Sequence, residues 1–321
     1  MKNALIYYYN LNPNDIHQTK EMYKFNINNN YYTLLEIKED IKKIEEIYNL
    51  SNYLNKNGIY THQIILNMQN NVVTIINNKN FVLLKTYNKM DRKINLNDII
   101  NFVNITIGIN YKNNYNNWYN KWINKVDYFE YEINELENKY PLIKKSFKYF
   151  SGLTETGIQL LINLNIKEDK LCVCHERIKK NYTLFDFYNP FNFIIDSSVR
   201  DIVEYLKNLY LDDNNYNEIE KYINNTNLSN DQLKLFFVRM IYPSFYYDKC
   251  EEIMIGKESE KSIMNIVNKI DDYENLLKKT YTQIKSICWL PEISWLEWIN
   301  DIYNSFNAWY FFFNRIFNTI F

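Results

Sequence analysis

Residues 189–210 read NPFNFIIDSSVRDIVEYLKNLY. The apolar run Phe191 to Ile195 has the character of a buried strand, and Asp196 follows it directly. Val199, Ile202, Val203, Leu206 and Tyr210 then recur at helical spacing, with Arg200 and Asp201 near the start of the stripe. An apolar strand that delivers a carboxylate, followed at once by a helix bringing another acidic residue, places a metal-binding group at a cleft. Nineteen residues before Asp196 stands Arg177, inside LCVCHERIKKNY at 171–182. That stretch crowds two cysteines, a histidine, a glutamate, an arginine and two lysines into twelve positions.

A zinc site is the first chemistry such a cluster suggests. On a strand, Cys172 and Cys174 point to one face and His175 to the other, so the three converge only where the strand ends. No second cysteine or histidine cluster lies nearby in sequence, and buried, inert cysteines are the stronger reading. A Cys–His nucleophile pair is equally weak, because adjacency in sequence does not create the required hydrogen-bond geometry.

Composition narrows the classes further. The chain has 321 residues, 46% hydrophobic and 23% charged, enough for one large domain or two lobes. Five glycines, five prolines and thirty tyrosines accompany an excess of asparagine, a bias expected of an AT-rich coding sequence. A formal net charge of −1 gives no global attraction for nucleic acid, so none is expected as a partner. Four scattered cysteines, Cys172, Cys174, Cys250 and Cys288, fit a reducing compartment better than a disulfide framework. The start, MKNALIYYYN, is too short in its apolar run for a signal peptide, and no stretch is long and apolar enough to span a membrane.

The first ninety residues read as strand, strand, helix, strands. Tyr23–Ile27 and Tyr31–Ile37 flank Asn28, Asn29 and Asn30, which predicts a hairpin. Ile41, Ile44, Ile47, Tyr48, Ser51 and Leu54 share a helical face, with Gly58 as its stop. THQIILNMQN and VVTIINNKNFVLLKTY resemble strands, the latter folded at NNKN. A polar connection at 88–93 leads into a helical regime. Trp118, Trp122, Val126, Phe129, Ile133 and Leu136 form one stripe, and Ser229 with Gln232 fits a capping box before Leu233. One helix is expected through Ile263, Ile266, Val267, Ile270, Tyr273, Leu277, Ile284 and Cys288. The aromatic end places Ile302, Phe306, Trp309, Phe313, Phe317 and Ile320 at helical spacing, most simply as a helix docked on the core.

Taken in order, WYNKWINKVDYFE at 118–130, YFSGLTETGIQLL at 149–161, CHERI at 174–178, IIDSSVRDIVEYL at 194–206 and RMIYPSFYYD at 239–248 resemble the CotS/YutH-type spore-coat proteins. That family is built on the kinase-like fold of aminoglycoside and choline phosphotransferases. The resemblance implies a bilobal α+β fold, with a small strand-rich N-terminal lobe over 1–88 and a larger, mainly helical C-terminal lobe over 89–321 that includes the aromatic terminal helix.

It also implies where chemistry would sit. Active relatives carry a loop of the form His-Gly-Asp-x-x-x-x-Asn, whose Asp handles the acceptor hydroxyl and whose Asn helps hold magnesium. Here His175, Glu176 and Arg177 fill the three leading positions, and arginine cannot accept that proton. Tyr182 stands where the Asn is expected, with Asn181 one place early. Asp196 lies at the family's spacing for the magnesium Asp; Asp186 offers a rival alignment with too short a loop. Glu176 is chemically able to serve as a base but sits one residue away. The phosphate-positioning lysine is replaced by Leu35 or Glu36, leaving Lys38 near the helix entrance as the substitute for nucleotide binding. Lys85 follows the helix, Glu45 and Glu46 read as solvated charges, and no glycine-rich loop precedes Gly58.

The expectation is therefore a catalytically degenerate kinase-like protein, a spore-coat-associated binding or assembly factor. The alternative is an atypical ATP-dependent small-molecule phosphotransferase. The resemblance leaves residual Mg²⁺ and ATP binding open, suggests other spore-coat proteins as partners, and implies cytoplasmic synthesis followed by assembly on the spore surface.

Overall fold

A computed structural model describes residues 1–19, 22–86, 90–109, 118–135, 139–164, 166, 170–179 and 181–296. The aromatic stripe at 302–320, the side chain of Trp118, and Leu136 lie outside the described residues. Packing divides the chain into two units, one of residues 1–114 with 170–201 and the other of residues 115–169 with 202–321.

The first unit is organised around an antiparallel sheet. Its strands are β1 (His17–Gln18), β2 (Met22–Ile27), β3 (Asn30–Ile37), β4 (Gln63–Ile65), β5 (Thr74–Ile76) and β6 (Lys79–Thr86), in the order β1-β2-β3-β6-β4 with β5 also on β6. The predicted hairpin at Asn28 is present, with Ile27 opposite Asn30. Asn28 and Asn29 have φ of 48° and 61°, the left-handed pair that a two-residue turn of matching twist demands. Asn77 and Asn78, at 51° and 61°, close the β5–β6 hairpin in the same way.

Side-chain alternation along β6 sends Phe81 and Leu83 to one face and Val82 and Leu84 to the other. The first pair packs with Leu5 and Tyr9 of α1 (Lys2–Tyr9), a helix that the sequence reading did not anticipate. The second packs with Ile44 and Ile47 of the expected helix α2 (Ile41–Lys56). Gly58, at φ 77°, follows that helix in the left-handed conformation glycine adopts without strain. Helix α3 (Leu96–Thr106), also unanticipated, opens with a capping box between Asn95 and Asp98. Beside it lies a second, two-stranded sheet, β7 (Leu171–His175) with β8 (Phe193–Ser197), in a register that sets Cys172 against Asp196 and His175 against Phe193.

The second unit is helical. It contains α4 (Trp118–Glu135) and α5 (Pro141–Asn163), and α6 (Leu184–Phe187), a single turn, belongs to the first unit between them and α7 (Arg200–Asp213). Helix α7 gives its first two residues to the first unit and the rest to the second. There follow α8 (Asn217–Asn225), α9 (Asn230–Ile241), α10 (Ser244–Met254), α11 (Met264–Val267) and α12 (Ile270–Ile287). Trp122 stacks on Tyr242 with ring centroids 4.1 Å apart, and Phe150 on Tyr246 at 3.9 Å. The buried hydroxyls of Tyr246 and Tyr247 meet Ser146 and Thr154 at 3.0 and 2.8 Å, which satisfies them. Ser229 and Gln232 form the expected capping box.

The long helix expected from Ile263 onward is interrupted. A 3₁₀ turn at Glu260–Ile263, α11 and α12 replace it. The N–H of Lys269 donates to Ile266 O, three residues back, and the tighter turn redirects the chain before α12 begins. Glu260 meanwhile accepts from the N–H groups of Leu142 and Ile143, capping α5 just after Pro141 at its first position.

Candidate functional site

The site is built on the β7–β8 pair and the loop that leaves β7 after His175. Val173 N–H donates to Thr106 Oγ1 at 3.3 Å and Gly108 N–H to Leu171 O at 2.9 Å, which fastens β7 to the end of α3. Phe102, Phe187 and Phe193 surround the His175 ring, with centroids 5.9, 4.5 and 5.4 Å away.

His175 is almost wholly buried, and both of its ring nitrogens face oxygen. Nδ1 lies 2.6 Å from Asp201 Oδ2, and Nε2–H donates to Phe187 O at 2.7 Å. The backbone N–H of His175 also reaches Asp201, at 3.1 and 3.0 Å from its two oxygens. Asp201, itself buried on the first turn of α7, thus holds both the ring and the backbone of the residue that starts the loop. The sequence reading placed Asp201 near the helix start without assigning it this role; its signal was an acidic residue in a first helical turn.

Glu176 and Arg177 are both exposed. Glu176 N–H donates to Asn192 O at 2.8 Å, while Glu176 O accepts from Arg177 Nη1 at 2.9 Å and from Arg200 Nη2 at 3.0 Å. Asn181 is exposed on the turn that follows, where Tyr182 N–H donates to Lys179 O. Lys38 lies on the exposed connection from β3 to α2, and Glu36 pairs with Lys79 at 2.9 Å. Asp186 is committed to capping α6 through Thr183.

Asp196 is buried at the end of β8. Its Oδ1 accepts from Ser197 N–H at 2.6 Å, and its Oδ2 is ion-paired with Arg200 Nη1. Burial opposes the charge on Arg200, but Asp196, with Asp201 beyond it, more than offsets this, so the guanidinium's pKa stands above its ordinary value. Among the described residues, no group of three or more histidine, cysteine, aspartate or glutamate side chains is arranged to hold a metal ion.

The cysteines are packed into the core. Cys172 and Cys174 are fully buried with Sγ atoms 3.5 Å apart, and Cys174 contacts Ser197 O at 3.4 Å. Burial pushes the Cys174 thiol well above its usual pKa, the reverse of what a nucleophile or metal ligand needs.

His62 was not singled out in the sequence. It is buried between α2 and α6: its Nε2–H donates to Phe185 O at 2.8 Å, which leaves Nδ1 to accept from Tyr60 Oη at 3.3 Å. Ser51 Oγ donates to His62 O at 3.1 Å, and His62 N–H donates to Tyr188 O at 3.0 Å. Burial lowers its pKa from the ordinary 6.5 to about 4.

A family model described as "Spore coat putative kinase YutH" matches residues 2–280. The endospore coat-associated protein YutH of Bacillus subtilis (strain 168) is 24% identical over 173 residues, 47% of this chain and 51% of that protein. The matched region thus spans about half the length of that curated relative. Among solved structures, an aminoglycoside phosphotransferase from Alicyclobacillus acidocaldarius superposes with a TM-score of 0.64 at 8% identity, covering 89% of this chain and 97% of the other. An AMP-bound spectinomycin phosphotransferase gives 0.58 at 12% identity, covering 87% and 96%. These likenesses establish the bilobal kinase-like α+β fold.

Proposed function

We propose, because this chain belongs to the YutH family of spore-coat proteins, that it acts at the spore coat as a binding or assembly factor and transfers no phosphoryl group. One observation carries the reading. The loop opened by His175 is held by three contacts to Asp201, yet by the loop pattern of active phosphotransferases the residue expected at the catalytic carboxylate is here Arg177. A guanidinium stays protonated and has no acceptor for a hydroxyl proton. The well-supported loop therefore serves as scaffold.

Asp196 is the residue with hard-oxygen chemistry suited to magnesium, and Lys38 is the substitute cation for a nucleotide phosphate. The ion pair of Asp196 with Arg200 argues against a resident divalent cation. Partners in this reading are other coat proteins, as the name of the Bacillus relative suggests.

The test has two arms. Purified protein supplied with MgATP and a panel of hydroxyl acceptors should show no transfer of labelled phosphate. In sporulating cells, a fluorescent fusion should coat the spore equally well with Arg177 and with Arg177→Ala. Phosphoryl transfer abolished by Asp196→Asn would defeat the proposal.

A further inference from the structure

The contact between Asp196 and Arg200 differs from an ordinary surface ion pair in three respects. Asp196 is only 4% exposed, so its charge must be met inside the protein. Arg200 is four residues along, at the first position of α7, where the step from strand end to helix returns its side chain to the carboxylate. The two arms of its fork also divide their work. Nη1 engages Asp196 and Nη2 donates to the carbonyl of Glu176, so one planar cation ties β8 to the loop after His175.

A divalent ion at the same carboxylate would perform a related task, drawing oxygen ligands from different segments onto one positive centre. We propose that Arg200 is a built-in cation that takes the place of a divalent metal at Asp196, making the β8–loop junction independent of metal. The inference rests on the reading of Asp196 as the metal-position carboxylate. Asp201 does not compete with Asp196 for the guanidinium, since its oxygens are given to His175.

The consequence is specific. Removal of the guanidinium with the carboxylate kept withdraws the cation that Nη1 brings to Asp196 and Nη2 to the Glu176 carbonyl, and a small hard cation is the ligand those two oxygens would accept in its place. Arg200→Met preserves much of the side chain's length and packing while removing the charge.

Mn²⁺, a paramagnetic stand-in for Mg²⁺, supplies the probe. Binding followed by the loss of the free-ion resonance signal should show no Asp196-dependent uptake by the wild type. Arg200→Met should gain one Mn²⁺ per chain, at least about tenfold tighter than any uptake by the wild type, and the gain should vanish in Arg200→Met with Asp196→Asn. The thermal midpoint of Arg200→Met should rise with added Mg²⁺, and that of the wild type should not.

Arg200→Lys keeps a cation and should remain indifferent to Mn²⁺, which covers the case in which Arg200→Met does not fold. Uptake by Arg200→Lys equal to one Asp196-dependent ion overturns the inference. So does Asp196-dependent uptake by the wild type, or a folded Arg200→Met that binds none. These outcomes are separable from the fate of the proposed function, which falls on phosphoryl transfer: a chain that transfers nothing yet binds Mn²⁺ at Asp196 overturns the inference alone.

Discussion

At the scale of single residues, His62 makes a measurable pH dependence. It is neutral in the fold because burial lowers its pKa to about 4, whereas the unfolded chain titrates near 6.5. Between those values the unfolded state holds more protons, so stability is fully present above about pH 6.5 and declines as pH falls through the window. The contribution reaches at most about 3 kcal/mol from a shift of this size. Urea unfolding of the wild type and His62→Gln from pH 7 to pH 4 should show a smaller loss in the variant; parallel curves would refute the assignment.

Residue identity alone gave little warning of this. A lone histidine among THQIILNMQN carries no signal until α2 and the α6 segment close around it. The reading of Arg177 rests on a loop pattern that assigns a role to each successive position. The partnership of Arg200 with Asp196 was hidden in plain spacing, since four residues from a strand end into a helix could equally have pointed Arg200 to solvent.

At the scale of elements, asparagine placement decided the hairpins. Asn28 and Asn29 adopt left-handed angles that a β-branched residue resists. Asn29→Val should therefore destabilise the protein by about 1–2 kcal/mol, measured by chemical denaturation, with the β2–β3 register retained. A change near zero would mean the turn reorganises freely.

Elements with strong periodicity and explicit ends were readable: α2 between Asp40 and Gly58, and α9 after Ser229. Helix α3 was missed despite the Asn95–Asp98 capping box that opens it; the others lacked such ends. Helix α1 was passed over because MKNALIYYYN is short and shows little contrast between its faces; what orders it is burial of Leu5 and Tyr9 against the sheet. The apolar positions from Ile263 to Ile270 fit a helix, but the break near Lys269 is a matter of backbone hydrogen bonding that periodicity does not encode.

At the scale of the whole molecule, the fold came from the order of segments, and the packing division did not follow a single cut in sequence. Residues 170–201 join the first unit although helical segments precede and follow them, since β7, β8 and the loop between them pack with α3. Linear reading has no means to anticipate that return. In the second unit, Lys207 is completely buried, its Nζ donating to Arg239 O at 3.0 Å and Tyr242 O at 2.7 Å. A lysine beside the apolar stripe of α7 reads as solvent-facing, yet here it satisfies the carbonyls at the end of α9.

The asparagine turns also bear on the chain before it folds. Seven of the eight described non-glycine residues with positive φ are asparagine, in a protein with five glycines. Glycine would relax into those angles more easily, but it would give the unfolded ensemble more conformations to surrender. The two effects oppose each other, so replacing Asn28, Asn29, Asn77 and Asn78 together by glycine should move the denaturation midpoint little; a large gain in stability would count against this balance. By writing its tight turns in asparagine, the chain begins folding from a smaller reservoir of disorder.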